Sequence, residues 1–252
     1  MDVTLLGSGD ATGVPPIFLD LDDCEATARR RRPGLLVETA STTVLLDASP
    51  DLPEQLRAVG IDHLDAAFVT HWHHDHAGGV EELGLVSSAL DVELGLTATA
   101  ADHLRTERAH LAGSFEETRL EHGRRVQVGE LSIVPFPVAH ARPEFDTVGF
   151  RLTHDGSTVV YAPDVERFCP ERPAGETYRD ADLLFVEGTG IFRPDVFDLE
   201  TDPETMITGA GADRTVLIHL NEAFLGRSTA ALERRAAEVG VEVGTDFETY
   251  SL

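Results

Sequence analysis

The stretch Thr70-His71-Trp72-His73-His74-Asp75-His76 crowds four histidines and an aspartate into seven residues, in a chain of 252 residues with only 11 histidines. It directly follows the apolar run Leu64-Asp65-Ala66-Ala67-Phe68-Val69 and precedes the small residues Ala77-Gly78-Gly79. A buried strand that ends in a loop leading to a helix is a usual place for a site in an α/β protein, because the strand fixes the loop's origin. Imidazole nitrogens suit zinc and other first-row metals. His71 and His73, two residues apart, can converge on one ion in an extended loop. Asp75 and His76 follow and can serve a second ion beside it. The glycines let backbone and metal approach closely. Four histidines cannot all be buried as core residues and satisfied cheaply. An internal cluster framed by apolar structure is also no solvated tag.

A two-metal site needs further ligands, and strand ends downstream offer them. His140 follows the apolar strand Leu131–Val138, Asp164 follows Val159–Pro163, and His219 follows Val216-Leu217-Ile218. Each is a ligand-type residue just beyond an apolar strand, as required if those strands all point at one rim.

The remaining pattern supplies the frame. Strands are expected at Val3–Leu6, Leu35–Glu38 with Thr43–Leu46 as a hairpin, Ala66–Val69, and Leu96–Ala98. Further strands are expected within Arg125–Pro137, turning at Gly129-Glu130, and at Thr147–Leu152 with Thr158–Ala162 around Asp155-Gly156. Leu183–Val186, Thr215–Ile218 and a closing Val241–Val243 complete the set. Helices are expected over Asp51–Val59, stopped at Gly60, then around Val80–Leu90, from near Asp102, near Glu204–Gly209, and over Thr229–Val239. Hairpins and strand-helix-strand units mix in two successive halves with no linker between them. That pattern predicts one α+β domain over residues 1–252, two mixed sheets covered by helices in an αββα sandwich.

Composition bounds the setting. The 45 acidic residues face 20 basic ones, all arginine, for a formal net charge of −25. An acid excess without lysine is the pattern of salt-loving archaea, where high salt screens the self-repulsion. The start of the chain does not resemble a signal peptide, and no window approaches a membrane span. Cys24 and Cys169 are too few for a disulfide framework. The expected location is the cytoplasm, without a membrane or an extended nucleic-acid surface as partner; a homodimer is compatible with the sequence.

THWHHDHAGG resembles the HxHxDH signature of metallo-β-lactamase-fold hydrolases, and His140, Asp164 and His219 resemble that superfamily's later metal ligands in order and spacing. The resemblance implies a dinuclear hydrolase with two divalent ions, zinc first and manganese or iron as alternatives. It assigns His71, His73 and His140 to one metal, Asp75, His76 and His219 to the other, and Asp164 as the bridge. Asp75 and Asp164 thereby serve catalysis as well as binding. Asp47 matches an aspartate that orients a ligand histidine, and His74 occupies the variable position, pointing away or bonding behind a ligand. Two cations about 3.5–4 Å apart lower the pKa of a shared water, and the resulting hydroxide attacks phosphorus or a carbonyl carbon.

Gly7, Gly9 and Gly13 with Val14-Pro15, and the run Arg29-Arg30-Arg31-Arg32-Pro33, resemble a narrower group. It contains phosphoribosyl cyclic phosphate phosphodiesterases and, more loosely, tRNA 3′-processing endonucleases. Guanidinium groups match phosphate oxygens, so one or two of Arg29, Arg30, Arg31 and Arg32 are expected at substrate phosphate. The group's extra cysteine-bound zinc is expected to be absent, because Leu19, Leu21 and Glu222 stand where ligands would, leaving only Cys24. Its proton-donating histidine has no counterpart near Val186–Gly190; Glu187 is the acidic residue there and the catalytic candidate in its place. A small, possibly cyclic phosphodiester is the expected substrate. A tRNA-processing endonuclease, a thioesterase and a non-catalytic metal-stabilised binding module are the alternatives.

Overall fold

The computed structural model of the protein describes residues 1–111, 113–141, 144–165, 178–193 and 203–252; Cys169 lies outside them. Strands β1 (Asp2–Gly7), β2 (Gly34–Glu38) and β3 (Thr43–Leu46) form an antiparallel meander. Strands β4 (Ala66–Phe68), β5 (Glu93–Leu96) and β6 (Glu116–Arg119) extend it in parallel with β3. The second sheet starts with the antiparallel run β7 (Val126–Val128), β8 (Leu131–Pro137), β9 (Val148–His154) and β10 (Ser157–Ala162). It continues in parallel with β11 (Leu183–Glu187), β12 (Arg214–Ile218) and β13 (Glu242–Val243). The chain then returns to the first sheet, where β14 (Thr249–Ser251) pairs antiparallel with β1.

Strict alternation along the strands sorts side chains into layers. Val44 and Leu46 of β3 meet Phe150, Val159 and Tyr161 of the opposite sheet in the central core, while Leu45 points to the outer layer. Helices α1 (Leu52–Val59), α2 (His74–Ala77), α3 (Val80–Leu90) and α4 (Ala98–Glu107) lie with the first sheet, which packs Leu52, Ala77, Val80 and Leu104 against Leu36, Leu45 and Ala67. Helices α5 (Thr189–Phe192), α6 (Pro203–Gly209), α7 (Glu222–Leu225) and α8 (Thr229–Glu238) contribute Ile191, Ile207, Leu225 and Leu232 to the second outer layer. The αββα order is therefore the observed one. The central strands present one apolar face to the central layer and the other to helices, which is what their continuous apolar runs require.

Three local expectations change. Strand β5 ends at Leu96, and α4 begins at Ala98 rather than near Asp102, because the Thr97 side chain accepts the Ala100 N–H as an N-cap. Val241 does not close the chain: β14 follows, with Tyr250 its single buried residue. Strand β6, Glu-Glu-Thr-Arg, went unread because its residues stay largely in solvent and carry no apolar alternation. No helix among the described residues is long and apolar enough to cross a membrane.

Candidate metal centre

Strands β3, β4, β5 and β6 run parallel, and so do β8, β10, β11 and β12, so the ligand-bearing strand ends gather at one rim. Beyond β4 come Thr70, His71 and His73, and then Asp75 and His76 on α2. His140 lies past the end of β8, Asp164 past β10, and His219 immediately after β12. His219 takes φ +59° and Asp47 φ +62°, left-handed values that are uncommon for residues with a side chain and that cluster at functional sites.

The seven residues form two groups sharing one carboxylate. His71, His73, His140 and Asp164 make the first and Asp75, His76, Asp164 and His219 the second, with ligand atoms in each within 4.8 Å of one another. Asp164 Oδ2 lies 3.6 Å from His71 Nε2, 3.3 Å from His140 Nε2, 3.2 Å from His76 Nε2 and 3.7 Å from His219 Nε2. In the first group the ring nitrogens His71 Nε2 and His73 Nδ1 approach to 2.8 Å, and His140 Nε2 lies 3.2 Å from His73 Nδ1. In the second, Asp75 Oδ2 lies 3.0 Å from His76 Nε2 and 3.4 Å from His219 Nε2.

The donor set fits divalent cations. His76 Nε2 is fully buried without a hydrogen-bond partner, although it faces two carboxylates. A buried ring nitrogen without a partner is costly, and a cation among these atoms removes the cost. Nitrogen and carboxylate ligands of this kind suit zinc, manganese and iron.

The groups behind the ligands were partly unexpected. Asp47 accepts the Thr70 N–H at 2.8 Å and meets His76 Nδ1 at 2.7 Å. Tyr161, fully buried on β10, donates its hydroxyl to the same carboxylate at 3.1 Å. Nothing in the sequence marks Tyr161, which reads as one more apolar position of a strand. Glu187, at the end of β11, sets Oε2 3.0 Å from His219 Nδ1 and accepts the Thr189 N–H at 2.7 Å. Each of these carboxylates fixes the ring orientation of a ligand histidine.

The electrostatics follow from packing. Burial pushes the Asp75 and Asp164 carboxyls up, but the neighbouring imidazoles outweigh it and hold both well below the usual carboxylate range. Burial lowers His76 and His219, yet facing carboxylates, Asp75 and Asp47 for the first and Asp164 and Glu187 for the second, raise both well above the usual imidazole range. His71, without an equal share of negative charge, is driven well below it by burial and then by His76. Burial leaves the Glu187 carboxyl raised despite His219.

The remaining expected residues lie elsewhere. His74 is exposed at the first position of α2, its ring folded back so that a Cβ on Gly78 would sit 3.0 Å from it. Among the described contacts it bonds no ligand. Arg30 is buried: Nε donates to Glu222 Oε1 at 2.9 Å, and Nη1 donates to Ser8 Oγ and the Gly244 carbonyl. Arg31 pairs with Glu54 and Asp246 and lies over the Phe247 ring. Arg32 pairs with Asp51 and donates to the Ala11 carbonyl. Of the four arginines among which one or two phosphate contacts are expected, Arg30, Arg31 and Arg32 thus pair with the protein's own carboxylates. Arg29 is exposed beside a shallow hollow of about 410 Å³ that Asp20 and Asp22 also line. The glycine-rich loop spends its backbone groups within the protein. Gly9, Asp10 and Gly13 donate their N–H groups to Arg31, Leu220 and Asp10 carbonyls, and a Cβ on Gly7 would strike the Arg32 carbonyl at 1.9 Å.

Fold and site define a metal-dependent hydrolase of the metallo-β-lactamase fold with a dinuclear site. The family model "Beta-lactamase superfamily domain" matches residues 42–220, and the chain belongs to that superfamily. It is 29% identical to an octanoyltransferase of Porphyromonas gingivalis over 88% of this chain, but spans only 46% of that protein. It is 27% identical to ribonuclease Z of Bradyrhizobium diazoefficiens, covering 80% of this chain and 67% of the other. Among solved structures, zinc-bound PqqB of Methylobacterium extorquens superposes with a TM-score of 0.83 at 19% identity, covering both chains completely. A diphosphatase of the PhnP family gives 0.81 at 23% identity, covering 100% of this chain and 97% of the other.

Proposed function

We propose that the protein is a dinuclear metal-dependent phosphodiesterase acting on a small, possibly cyclic phosphodiester. The observation that carries this reading is the single carboxylate, Asp164, shared by two ligand groups. A donor set of this kind would hold two divalent ions, whose combined charge would suit displacement at phosphorus. His71, His73 and His140 would hold one ion and Asp75, His76 and His219 the other. Zinc suits the set best, with manganese or iron as alternatives. Bound there, the ions supply Lewis-acid charge for phosphoryl oxygens and acidify a water. The chain's own residues orient that centre: Asp47 aligns His76, Glu187 aligns His219, and Asp164 keeps the two groups together.

A diphosphatase and a ribonuclease Z among the similar proteins favour phosphoester chemistry over thioester chemistry. The net charge of −25 favours a small substrate over a long nucleic acid, whose phosphates need local positive surface. A salty cytoplasm suits that charge, and the whole chain is read as one such domain. Ribonuclease Z relatives at 27% identity keep tRNA 3′-end cleavage as the second reading.

The test is a substrate panel with zinc- or manganese-reconstituted protein at high salt. It compares bis-p-nitrophenyl phosphate, a 2′,3′-cyclic nucleotide, a precursor tRNA and a thioester. Turnover of the small diesters, with Asp164→Ala losing most of it while remaining folded, is the expected result. Selective cleavage of the precursor tRNA would replace this reading with the second, and turnover of the thioester alone would reject both.

A further inference from the structure

Six of the 11 histidines are ligands or sit within the ligand run, and four others pair with carboxylates outside the two ligand groups. The remaining one, His103 on α4, is one aromatic ring away from the ligands. Its ring packs against Phe145 with centroids 5.2 Å apart, and Phe145 in turn sets its ring against His73 at 4.7 Å and His71 at 5.9 Å. His103 Nδ1 meets Glu107 Oε1 at 2.7 Å. The other oxygen of Glu107 accepts the indole N–H of Trp72 at 3.1 Å. Trp72, the buried residue between His71 and His73, thereby ties this carboxylate to the ligand loop.

An exposed i,i+4 pair on a helix would show neither the aromatic seat nor the third partner. The indole N–H only donates, so Glu107 stands there as an acceptor, and its hydrogen bond with His103 holds its carboxyl below the usual range. Acceptance by Glu107 makes Nδ1 the N–H of the imidazole and leaves Nε2 for a ligand. No described contact engages Nε2, and the side chain is 28% exposed. His76 and His219 are poorly placed to move a proton, because each has one nitrogen on a carboxylate behind the ring and the other in the ligand group. His74 folds back along its own helix.

We propose that His103, oriented by Glu107, is a further catalytic residue that protonates the departing oxygen of the substrate beside Phe145. The assignment rests on the phosphodiester reading. In the step, water oxygen forms the new bond to phosphorus and its proton passes to solvent. The bond from phosphorus to the leaving oxygen breaks with its electron pair on that oxygen. The Nε2–H proton moves to that oxygen, giving a neutral alcohol and a neutral imidazole, which regains a proton from solvent. The Glu107 carboxylate holds the ring through Nδ1 and leaves Nε2 free, as a positioned acid requires.

The experiment uses zinc-reconstituted protein and two diesters that differ in leaving group. Bis-p-nitrophenyl phosphate expels an anion that needs no proton. Diphenyl phosphate expels phenol, whose pKa of about 10 is that of a tyrosine side chain. His103→Asn should lower kcat/KM on diphenyl phosphate by about 10²–10⁴-fold. It should change the nitrophenyl ester little, with zinc content and melting as in the parent. Glu107→Gln should show the same leaving-group pattern at smaller amplitude, and the surface variant His110→Asn should match the parent on both. Equal losses of His103→Asn on both esters would show a structural role and overturn the assignment, as would no loss on either. A parent inert on both esters brings down the phosphodiester reading and this assignment together; an active parent isolates His103.

Discussion

Asp47 Oδ2 is shared by three groups, the Thr70 hydroxyl, His76 Nδ1 and the Tyr161 hydroxyl. Outer partners of this kind fix ligand orientation and typically govern metal affinity by about 10–100-fold. Asp47→Ala should therefore weaken zinc binding by about that factor in chelator competition. Tyr161→Phe should act in the same direction with smaller effect, since Thr70 and His76 keep the carboxylate in place. Unchanged affinity in both would show that the ring of His76 is fixed by packing alone. The raised states of His76 and His219 give a second prediction. The facing carboxylates favour the protonated form of both rings, and the stability this gives the metal-free fold is full below the ordinary imidazole range. It is lost as pH climbs through the raised values. Metal must displace those protons, so calorimetric zinc titrations in buffers of different ionisation heat should report release of about two protons at neutral pH. No release would contradict the paired-carboxylate account of these rings.

Among the elements, the segment carrying Arg29–Arg32 is a structural strap. Its buried Arg30 joins Glu222 at the start of α7, and Glu222 also accepts the Thr229 hydroxyl. Removing one partner of a buried pair costs about 3–5 kcal/mol because the other charge stays buried, whereas replacing both with apolar groups is often neutral. Arg30→Ala should lose about that much in urea unfolding, and Arg30→Met with Glu222→Leu should recover most of it. Equal losses in single and double variants would mean that packing, not charge, holds the strap. The sequence showed that four arginines were adjacent; their partners Asp51, Glu54, Glu222 and Asp246 are brought by the fold from well outside the run. The residues of the two candidate metal groups stand out in the sequence for the opposite reason. The histidine run and the later His140, Asp164 and His219 each lie just beyond an apolar strand, so local pattern places them near strand ends. Strands β6 and β14, polar or very short, escaped because edge strands carry little apolar alternation. His103 and Tyr161 escaped because their significance lies in what packs beside them.

For the whole molecule the dominant quantity is charge. Surface pairs such as Arg105–Glu117 and Arg214–Glu242 absorb some of the 20 arginines, but a formal charge of −25 remains. Repulsion among those carboxylates opposes the compact state, because unfolding moves like charges apart. The Debye length is about 10 Å at 0.1 M and about 3 Å at 1 M, so added salt removes most of the repulsion between separated surface groups. The buried pair Arg30–Glu222 and the ligand cluster are screened far less, so salt should change global stability more than the centre. For a chain of this size about 2 kcal/mol corresponds to roughly 4–8 °C. The melting temperature of the metal-loaded protein should rise by at least about that much between 0.1 M and 2 M sodium chloride. Screening depends on ionic strength, whereas surface exclusion depends on the ion. Sodium chloride and sodium sulfate compared at equal ionic strength below about 0.5 M should therefore give matching gains if charge is the cause. A melting temperature indifferent to chloride but raised by sulfate would assign the stabilisation to apolar burial and leave the acidic surface without a part in stability.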